Sequence, residues 1–468
     1  MTTARPDRSV RPGPLPLRAV TLPPVFRARL SNGLPVWIVE QHRAPQVVIT
    51  AVMHCGALMD PPEKPGTATL TADLLDAGTE AHDALALSEG VEFLGASLTF
   101  RGGLDGAYGT LLTLSGHIGE AVPLFAEALS QPVFPVDQFE RLRRQRLTTL
   151  MQQKDRPASV ATTAFMRKIY PAGHPYGKDP AGTESSIAAL TRNDIISFYG
   201  DHYGPGCTTL IVVGDVTPAS VIPLLEHSLG RWPARARIAV EPPRPASVSP
   251  GIYLIDRPGA PQSEIRVGVP ALPRNTPDFI PATVLNRVLG GQFSSRINMN
   301  LRERRGYTYG AHSSFVFLKQ PGPFLVSGAF TVAATGEAAG EILAEVDAVY
   351  REGITAGELE FSRRGLIGAF AVSFETPFQI AAALQALPLY GLPDDYYDGF
   401  LKLLESVSLE DVAGVAARVL DPAGMSVVVA GEASRVRDGL AALGRGNVTM
   451  LGPDGGEIQQ EVPTRVSG

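Results

Sequence analysis

The histidines are spaced too widely to form a metal site on one helix. No two of them lie within five residues of each other, and they stand at positions 42, 54, 82, 117, 174, 202, 227 and 312. Positions i, i+3 and i+4 share a helix face, so a helical pair needs one of those spacings. Glu226-His227 lacks a second histidine, because Pro223 stands where it would be needed. This spacing argues against a helical zinc centre made by this chain.

Two other groups of residues are better explained by structure than by chemistry. The glycine-rich stretch 102–110 (GGLDGAYGT) lacks the Lys-Ser/Thr ending of a phosphate-binding loop and lies between two predicted strands. His54 and Cys55 are neighbours on a predicted strand, where adjacent side chains point to opposite faces and cannot easily hold one metal ion. We interpret both groups as structural.

Composition and charge favour a globular protein of two domains and argue against a nucleic-acid-binding or membrane protein. With 468 residues, 44% hydrophobic and 19% charged, the chain is long enough for two large domains with apolar cores. Its net charge of −6 gives no long-range attraction for nucleic acid or an anionic membrane surface. No apolar run reaches the roughly 18 residues of a membrane span, and the proline-broken N-terminus does not resemble a signal peptide. We expect no nucleic-acid or membrane partner.

The two cysteines indicate what kind of cellular compartment the protein occupies. Cys55 and Cys207 are far apart in sequence, and a chain this long with one possible pair does not depend on a disulfide framework. Both therefore fit a reducing environment. We expect a cytoplasmic location, while the sequence leaves a periplasmic one open.

The chain divides into two halves around a proline-rich stretch. Residues 1–20 are rich in Pro and Arg and are predicted to be a disordered tail. Residues 232–250 lack periodicity, which is typical of an extended linker. The linker separates a predicted N-terminal lobe at 21–231 from a predicted C-terminal lobe at 251–450, and a second tail is predicted at 451–468.

The first half mixes strands and helices. A hairpin is predicted to turn at Asn32-Gly33, strands are predicted over 47–55 and 208–216, and a strand pair is predicted near 97–116. Helical periodicity marks the ranges 67–77, 84–94, 118–130, 137–152 and 158–170.

The second half repeats the pattern of the first. Ala-Pro-Gln precedes a strand in each half, at 44–46 and at 260–262. Each half also ends with a turn, a buried strand and a Gly followed by an acidic residue, in YGPGCTTLIVVGDV and LDPAGMSVVVAGEA. A repeat of about 215 residues is too long for a solenoid and indicates a duplicated α+β domain. Two such lobes suggest a cleft or chamber between them.

Residues 66–79 (GTATLTADLLDAGT) have the frame of a known zinc site without its ligands. They resemble the inverted zinc motif of the pitrilysin/insulinase metallopeptidases, in which a helix that opens after Gly presents H-x-x-E-H. In that motif two histidines hold zinc and the glutamate activates its bound water. The matching positions here are Thr69, Ala72 and Asp73, which are not a zinc-binding set.

The second helix of that zinc site is also altered. The family takes its third ligand from a Glu on a later helix, whereas residues 141–154 (RLRRQRLTTLMQQK) contain no acidic residue. The resemblance therefore implies a degenerate metal site, no metal in this chain and no catalytic residues of its own. We interpret Asp73 and Asp76 as solvated helix charges rather than as the lining of a vacated pocket.

A second motif lies in the C-terminal half. LGGQFSSR (289–296) and NLRERRGYTYG (300–310) resemble the family's substrate motif, in which an Arg and a Tyr lie seven residues apart around a Gly. Arg302 and Tyr309 match it, and the resemblance implies that they hold the substrate backbone near the scissile carbonyl. A guanidinium and a phenol are fixed donors that suit this role. Taken alone, Arg302 fits a solvated helix face and Tyr309 fits a strand.

The resemblance covers about residues 25–445, including His174-Pro175-Tyr176-Gly177 and residues 190–216. It implies the fold of mitochondrial processing peptidase: two homologous α+β lobes, each a mostly antiparallel sheet with helices on one face, around a clam-shell chamber. Bacterial members of this family are known as pairs in which one subunit keeps the zinc motif and the other keeps the Arg/Tyr pair. This chain resembles the second type.

The function expected from this resemblance is that of a non-catalytic, substrate-binding subunit of a heterodimeric zinc metallopeptidase that cleaves peptides. Zinc is expected in a homologous partner, and no peptidase activity is expected from this chain alone. An edge strand near 96–101 is expected to offer main-chain hydrogen bonds to an extended peptide. Two alternatives remain open: a structural assembly subunit like the core proteins of mitochondrial cytochrome reductase, and a homodimeric peptide-binding protein.

Overall fold

The computed structural model describes residues 23–234 and 243–458, which form two lobes of the same plan. The predicted N-terminal tail, the middle of the predicted linker and the end of the predicted C-terminal tail lie outside the described residues.

Each lobe is built on a six-stranded sheet. The first sheet has the order β1-β2-β6-β3-β5-β4 and contains β1 (Phe26–Arg29), β2 (Pro35–Glu40), β3 (Gln46–Met53), β4 (Ser97–Gly102), β5 (Ala107–Leu114) and β6 (Thr208–Gly214). The second has the order β12-β7-β11-β8-β10-β9 and contains β7 (Ile252–Asp256), β8 (Gln262–Leu272), β9 (Ala311–Phe315), β10 (Gly322–Thr331), β11 (Ser426–Gly431) and β12 (Val448–Leu451).

Helices connect these strands in both lobes. The first lobe contains α1 (Thr67–Asp73), α2 (Ala84–Phe93), α3 (Ile118–Ser130), α4 (Val136–Lys154), α5 (Pro157–Ile169), α6 (Glu184–Ala189), α7 (Arg192–His202) and α8 (Pro218–Leu229). The second contains α9 (Phe279–Leu289), α10 (Arg296–Asn298), a π-helical segment (Met299–Arg304), α11 (Thr335–Glu352), α12 (Ala356–Val372), α13 (Pro377–Tyr390), α14 (Phe400–Ser406), α15 (Leu409–Val419) and α16 (Ala433–Ala441).

The two sheets share one topology, which confirms the duplicated α+β domain. The strands β2, β6, β3, β5 and β4 of the first sheet correspond in order to β7, β11, β8, β10 and β9 of the second. Most neighbours are antiparallel, and the parallel pairs are β2 with β6, β7 with β11 and β7 with β12. Both β3 and β8 begin at the Gln of an Ala-Pro-Gln sequence.

The predicted helices of the first lobe are confirmed, and the main difference is at the end of α1. The pattern predicted a helix over 67–77, but α1 ends at Asp73. Beyond it the backbone tightens, because the N–H groups of Leu74 and Leu75 donate to carbonyls only three residues back. Gly78 then takes a left-handed φ of 138° that an L side chain rarely adopts. The segment therefore turns away from the helix axis just past the degenerate motif.

Each lobe covers one face of its sheet with its own helices and the other face with a helix from the opposite lobe. Val48 and Val213 of the first sheet pack against Ile380 and Leu384 of α13, which belongs to the second lobe. Reciprocally, the outer face of the second sheet, at β11, packs against α5 of the first lobe. Both are the third helix after the central hairpin of their lobe. Separating the lobes would expose both apolar faces to water, which costs free energy in proportion to their area.

Buried polar contacts also join the lobes. Asp105, in the turn of the β4–β5 hairpin, accepts hydrogen bonds from Tyr176 Oη at 2.6 Å and from the N–H of Lys319 in the second lobe at 2.8 Å. Arg266 on β8 donates to Thr162 Oγ1 on α5 at 3.0 Å. The glycine-rich stretch is therefore part of a hairpin that anchors the lobes, as its structural interpretation predicted.

The packed residues extend slightly beyond the predicted lobes. Trp232, with which the predicted linker begins, is buried in the first core, and its carbonyl accepts a hydrogen bond from Asn32 at 3.1 Å. Leu451, with which the second tail was predicted to begin, ends β12 and is buried. Farther along, Glu457 pairs with Lys168 of α5 at 2.7 Å. An apolar side chain at the edge of a proline-rich or polar run still packs when a core lies within reach.

No single helix among the described residues is long and apolar enough to cross a membrane. The helices α12 and α13 meet the length and composition requirements only when taken together, and they are bent by 111° at the break between them.

Candidate functional site

The degenerate motif lies on a short, nearly fully buried helix. The helix α1 begins after Gly66, whose φ of 98° is left-handed, and a Cβ there would lie 2.7 Å from Ile187 Cδ1. The Asp60 carboxylate pairs with free backbone N–H groups at the start of the helix. It accepts hydrogen bonds from the N–H groups of Gly66 and Ala68, each at 2.7 Å. Burial raises the pKa of Asp60 to about 6, although both N–H groups favour its charged form. This network sets the position of Thr69 one turn later.

Arg146 of α4 contacts two of the three motif positions, Thr69 and Asp73. Its Nη1 donates to Thr69 Oγ1 at 3.0 Å and to the carbonyl of Ala181 at 3.1 Å. Its Nη2 donates to Asp73 Oδ2 at 2.5 Å. Burial raises the pKa of Asp73, and the guanidinium opposes that shift. Ala72, between them, is fully buried.

Sequence reasoning noticed that residues 141–154 lack an acid but missed the role of Arg146. The signal was present, because a carboxylate on a buried helix needs a cation and this stretch carries four arginines. Which of the four reaches Asp73 depends on how α4 crosses α1. That crossing is a tertiary feature.

The residues at this position do not fit zinc. Thr69 and Ala72 are not ligands, and Asp73 is the only carboxylate among the three motif positions. Arg146 adds a positive charge beside Thr69 and Asp73. In the part of the chain that the structure describes, no group of three or more His, Cys, Asp or Glu side chains is placed to hold a metal ion. The local chemistry is that of an ion pair in place of a metal site.

A cavity of about 420 Å³ opens beside this ion pair and corrects one interpretation from the sequence. Asp73 and Asp76 both line it, together with Arg101 and Arg146. The interpretation of these two aspartates as solvated helix charges was therefore wrong in part, because Asp73 at the end of α1 pairs with Arg146 and Asp76 lies beyond the end of α1, although both residues stay partly exposed. Burial, with the neighbouring Asp73, raises the pKa of Asp76 to about 6.

The strand β4 forms one wall of this cavity and is the edge strand of the first sheet. This confirms the prediction of an edge strand near 96–101. Its last residue, Gly102, lies directly against the motif, since a Cβ there would stand 2.6 Å from Thr69 Cα. Any larger residue would push β4 away from α1, so the glycine allows the close contact between them.

Arg302 and Tyr309 lie on the second lobe and are accessible to a ligand. Arg302 belongs to the π-helical segment, a geometry found frequently at functional sites. Its guanidinium carbon lies 4.8 Å from the centroid of the Phe293 ring, and its Nε lies 3.3 Å from Glu303 Oε1. Tyr309 is 88% exposed and stands in a bend before β9, so it is not the strand residue that the pattern alone suggested.

Hydrogen bonds to α11 hold this exposed segment in place. Asn300 Nδ2 donates to Glu341 at 2.9 Å and to Glu345 at 2.8 Å, and Arg305 donates to Glu341 at 2.6 Å. Tyr307 Oη donates to Glu337 at 2.5 Å. These acceptors lie four residues apart on one helix face. The backbone between Arg302 and Tyr309 is therefore anchored on both sides of Gly306, whose φ is 67°.

Within the described residues, the cavity at the first motif does not reach the second motif. The cavity beside Asp73 is lined by first-lobe residues, and neither Arg302 nor Tyr309 is among them. The chamber between the lobes stays a prediction. The chain presents the accessible Arg302 and Tyr309 on one lobe and the Arg146–Asp73 ion pair on the other.

Comparison with known proteins identifies the family. Residues 36–178 match the model of the insulinase peptidase family M16, and residues 189–366 match the model of the M16 inactive domain. A crystal structure of a peptidase M16 inactive domain from Pseudomonas fluorescens is 26% identical, with a TM-score of 0.82 over 87% of this chain and 98% of that one. A protease from Helicobacter pylori superposes with a TM-score of 0.83 over 88% of this chain and all of that one, at 19% identity, and shows the fold alone.

Some curated relatives are named as zinc proteases, and one is named as a non-peptidase homolog. An uncharacterized zinc protease of Mycobacterium tuberculosis is 23% identical over 76% of this chain and 81% of its own length. A protein of Helicobacter pylori named as a non-peptidase homolog is 22% identical over 81% of this chain and 87% of its own length. With both family models matching in order along one chain and the two-lobe fold shared with solved members, the chain belongs to the insulinase (M16) peptidase family.

Proposed function

We propose that this chain is the non-catalytic, substrate-binding subunit of a heterodimeric zinc metallopeptidase that cleaves peptides. The observation that carries the proposal is a contrast between the lobes. Arg146 pairs with Asp73 at the degenerate motif of the first lobe, whereas Tyr309 of the second lobe is 88% exposed and Arg302 is partly exposed on a segment anchored to α11. A donor pair kept accessible without a metal in the same chain suits a metal supplied by a partner.

Each residue has a distinct part in this proposal. Zinc, held by a homologous partner with an intact H-x-x-E-H motif, would supply the activated water. Arg302, stacked on Phe293, would orient the peptide by donating to a backbone carbonyl. Tyr309 would donate its phenolic hydrogen to the carbonyl oxygen where negative charge develops. Both side chains are accessible to solvent, and the backbone segment that carries them is anchored to α11.

The test is a mixing experiment. Peptidase activity on a peptide library is measured for this chain alone, for a zinc-motif homologue from the same genome, and for the mixture. We expect activity only in the mixture, abolished by a chelator and lowered about 100-fold by Arg302→Ala or Tyr309→Phe. Arg351→Ala, which removes an exposed arginine of α11, is the matched control and is expected to keep full activity.

Two outcomes would overturn the proposal. Chelator-sensitive hydrolysis by the pure chain would mean that it carries a metal after all. Failure to form a complex, with no hydrolysis in the mixture, would favour a structural assembly subunit or a homodimeric peptide-binding protein.

A further inference from the structure

A buried amide side chain, that of Asn298, joins the segment before Arg302 to the segment after Tyr309. Asn298 ends α10, directly before the π-helical segment, and is 1% exposed. Its Nδ2 donates to the carbonyl of Phe293 at 2.7 Å, and its Oδ1 accepts from the N–H of Ala311 at a longer distance of 3.4 Å. A buried amide that bonds one backbone group on each side fixes those two groups relative to each other.

On one side, the contact of Asn298 reaches Arg302 through Phe293. The Phe293 ring lies 4.8 Å from the guanidinium carbon of Arg302, while the Phe293 carbonyl is held by Asn298. A guanidinium over an aromatic face is attracted by the negative potential of that face. The ring is 60% exposed, so it supports the guanidinium at the protein surface. Where Arg302 lies therefore depends on the segment that Asn298 holds.

On the other side, Thr308 closes a tight turn around Tyr309. The Thr308 hydroxyl donates to the carbonyl of Gly310 at 2.9 Å and accepts from its N–H at 3.0 Å. Thr308 is 9% exposed, whereas Tyr309, between the two bonded residues, is 88% exposed. A hydroxyl that bonds the backbone two residues ahead determines the shape of such a turn. Ala311, which bonds Asn298, follows directly after this turn.

We propose that Asn298 and Thr308 are positioning residues that hold Tyr309 at a fixed place relative to Arg302. Both are buried, so they act through the two accessible side chains and do not touch the substrate. The effect on hydrolysis rests on the proposed function, in which Arg302 and Tyr309 contact one peptide. Correct placement matters there, because an error of about 1 Å in a reacting geometry can cost about 100-fold in rate.

The first test needs neither a partner nor hydrolysis. Amide hydrogen exchange over residues 308–311 is measured on the full chain for Thr308→Val, Thr308→Ser and Asn298→Leu. Thr308→Val keeps the shape of the side chain without its hydroxyl, and we expect the Gly310 amide to exchange about tenfold faster. Thr308→Ser should keep the slow exchange, and Asn298→Leu should speed exchange at the end of the range. Thr283→Val, which removes a hydroxyl bonded within α9, is the matched control and should change nothing.

The second test uses the active mixture of the mixing experiment. Thr308→Val is expected to lower kcat about tenfold with little change in KM, because Tyr309 acts on charge that develops only in the transition state. Asn298→Leu should lower kcat and also raise KM, since it frees the Phe293 segment on which the orienting guanidinium is stacked. Thr308→Ser should restore most of the rate, and Thr283→Val should keep it.

A double variant separates positioning from general damage. If Thr308 acts through the Tyr309 hydroxyl, Thr308→Val should cause no further loss of kcat once Tyr309→Phe has removed that hydroxyl. Independent effects would instead multiply, so a combined loss equal to the product of the two single losses would overturn the proposed role of Thr308.

Unchanged exchange at Gly310 in Thr308→Val, or full activity of that variant in the mixture, would also overturn the positioning role. Unchanged exchange in Asn298→Leu would overturn the part of Asn298. No hydrolysis by the unaltered mixture, with the exchange pattern as expected, would instead overturn the proposed function alone.

Discussion

The Nη2 of Arg146 lies 2.5 Å from Asp73 Oδ2, and its Nη1 lies 3.0 Å from Thr69 Oγ1, so one guanidinium bridges two positions that hold zinc ligands in the active family motif. The Arg146 side chain is 13% exposed and that of Asp73 is 37% exposed. The positive charge between α1 and α4 is therefore the guanidinium of Arg146. This ion pair leads to predictions for stability, metal binding and pH dependence.

The first prediction concerns stability. Arg146→Gln leaves the Asp73 carboxylate without its partner, and we expect the free energy of unfolding to fall by about 2 kcal/mol, below the range for fully buried pairs because Asp73 is partly exposed. Chemical denaturation with urea measures it. Adding Asp73→Asn should recover part of the loss, which a double-mutant cycle reports as coupling. Arg351→Gln, in an exposed pair with Asp347, should change little, and an equal loss there would contradict the role of Arg146.

The second prediction concerns metal binding. Restoring H-x-x-E-H through Thr69→His, Ala72→Glu and Asp73→His should yield only weak zinc binding, because the Arg146 cation remains at the same place. Adding Arg146→Glu should raise zinc content toward about one ion per chain, since it replaces the cation with a carboxylate ligand. Elemental analysis after dialysis measures the content. With Arg144→Glu as the fourth change instead, zinc should stay low; equal zinc in both proteins would show that Arg146 does not block the site.

The third prediction concerns pH. Burial and the adjacent Asp73 raise the folded-state pKa of Asp76 to about 6, above its unfolded value, while Arg141 lowers it slightly. The folded state then binds more protons than the unfolded state between about pH 4 and pH 6, so the stability contribution of Asp76 decreases as pH rises through that window. Asp76→Asn should therefore be more stable than the parent at pH 7.5 by about 1 kcal/mol, with the difference shrinking toward pH 5. A difference that is constant with pH would refute the burial of this carboxyl.

The fourth prediction concerns the joint between the lobes. Asp105→Ala removes the shared acceptor of Tyr176 Oη and the Lys319 N–H, and an unsatisfied buried donor costs about 1–3 kcal/mol. We expect a lower unfolding temperature and faster hydrogen exchange in the loop before β10. Asp347→Ala, which removes a carboxylate whose ion pair with Arg351 lies within α11 of the second lobe, should do neither. Unchanged exchange near Lys319 would show that Asp105 does not hold the lobes together.

Much of the fold could be predicted from local patterns. The hairpin at Asn32-Gly33, the helices 118–130 and 158–170, and the repeated Ala-Pro-Gln before β3 and β8 depend on turn chemistry and periodicity, which act over a few residues. The sequence also predicted the family resemblance and the absence of zinc ligands at Thr69, Ala72 and Asp73. It likewise predicted the edge strand near 96–101. These features depend on residue identity and spacing alone.

Other features were decided only by tertiary structure. The exchange of α5 and α13 between the lobes could not be predicted, because an apolar helix face does not specify which sheet it covers. The lining of the cavity by Asp73 and Asp76, and the choice of Arg146 among four arginines, depend on how α4 crosses α1. Sequence by itself determined which groups are present and which metal ligands are lost. The three-dimensional packing determined which charges meet, since an ion pair forms between residues 73 positions apart only when two helices bring them together.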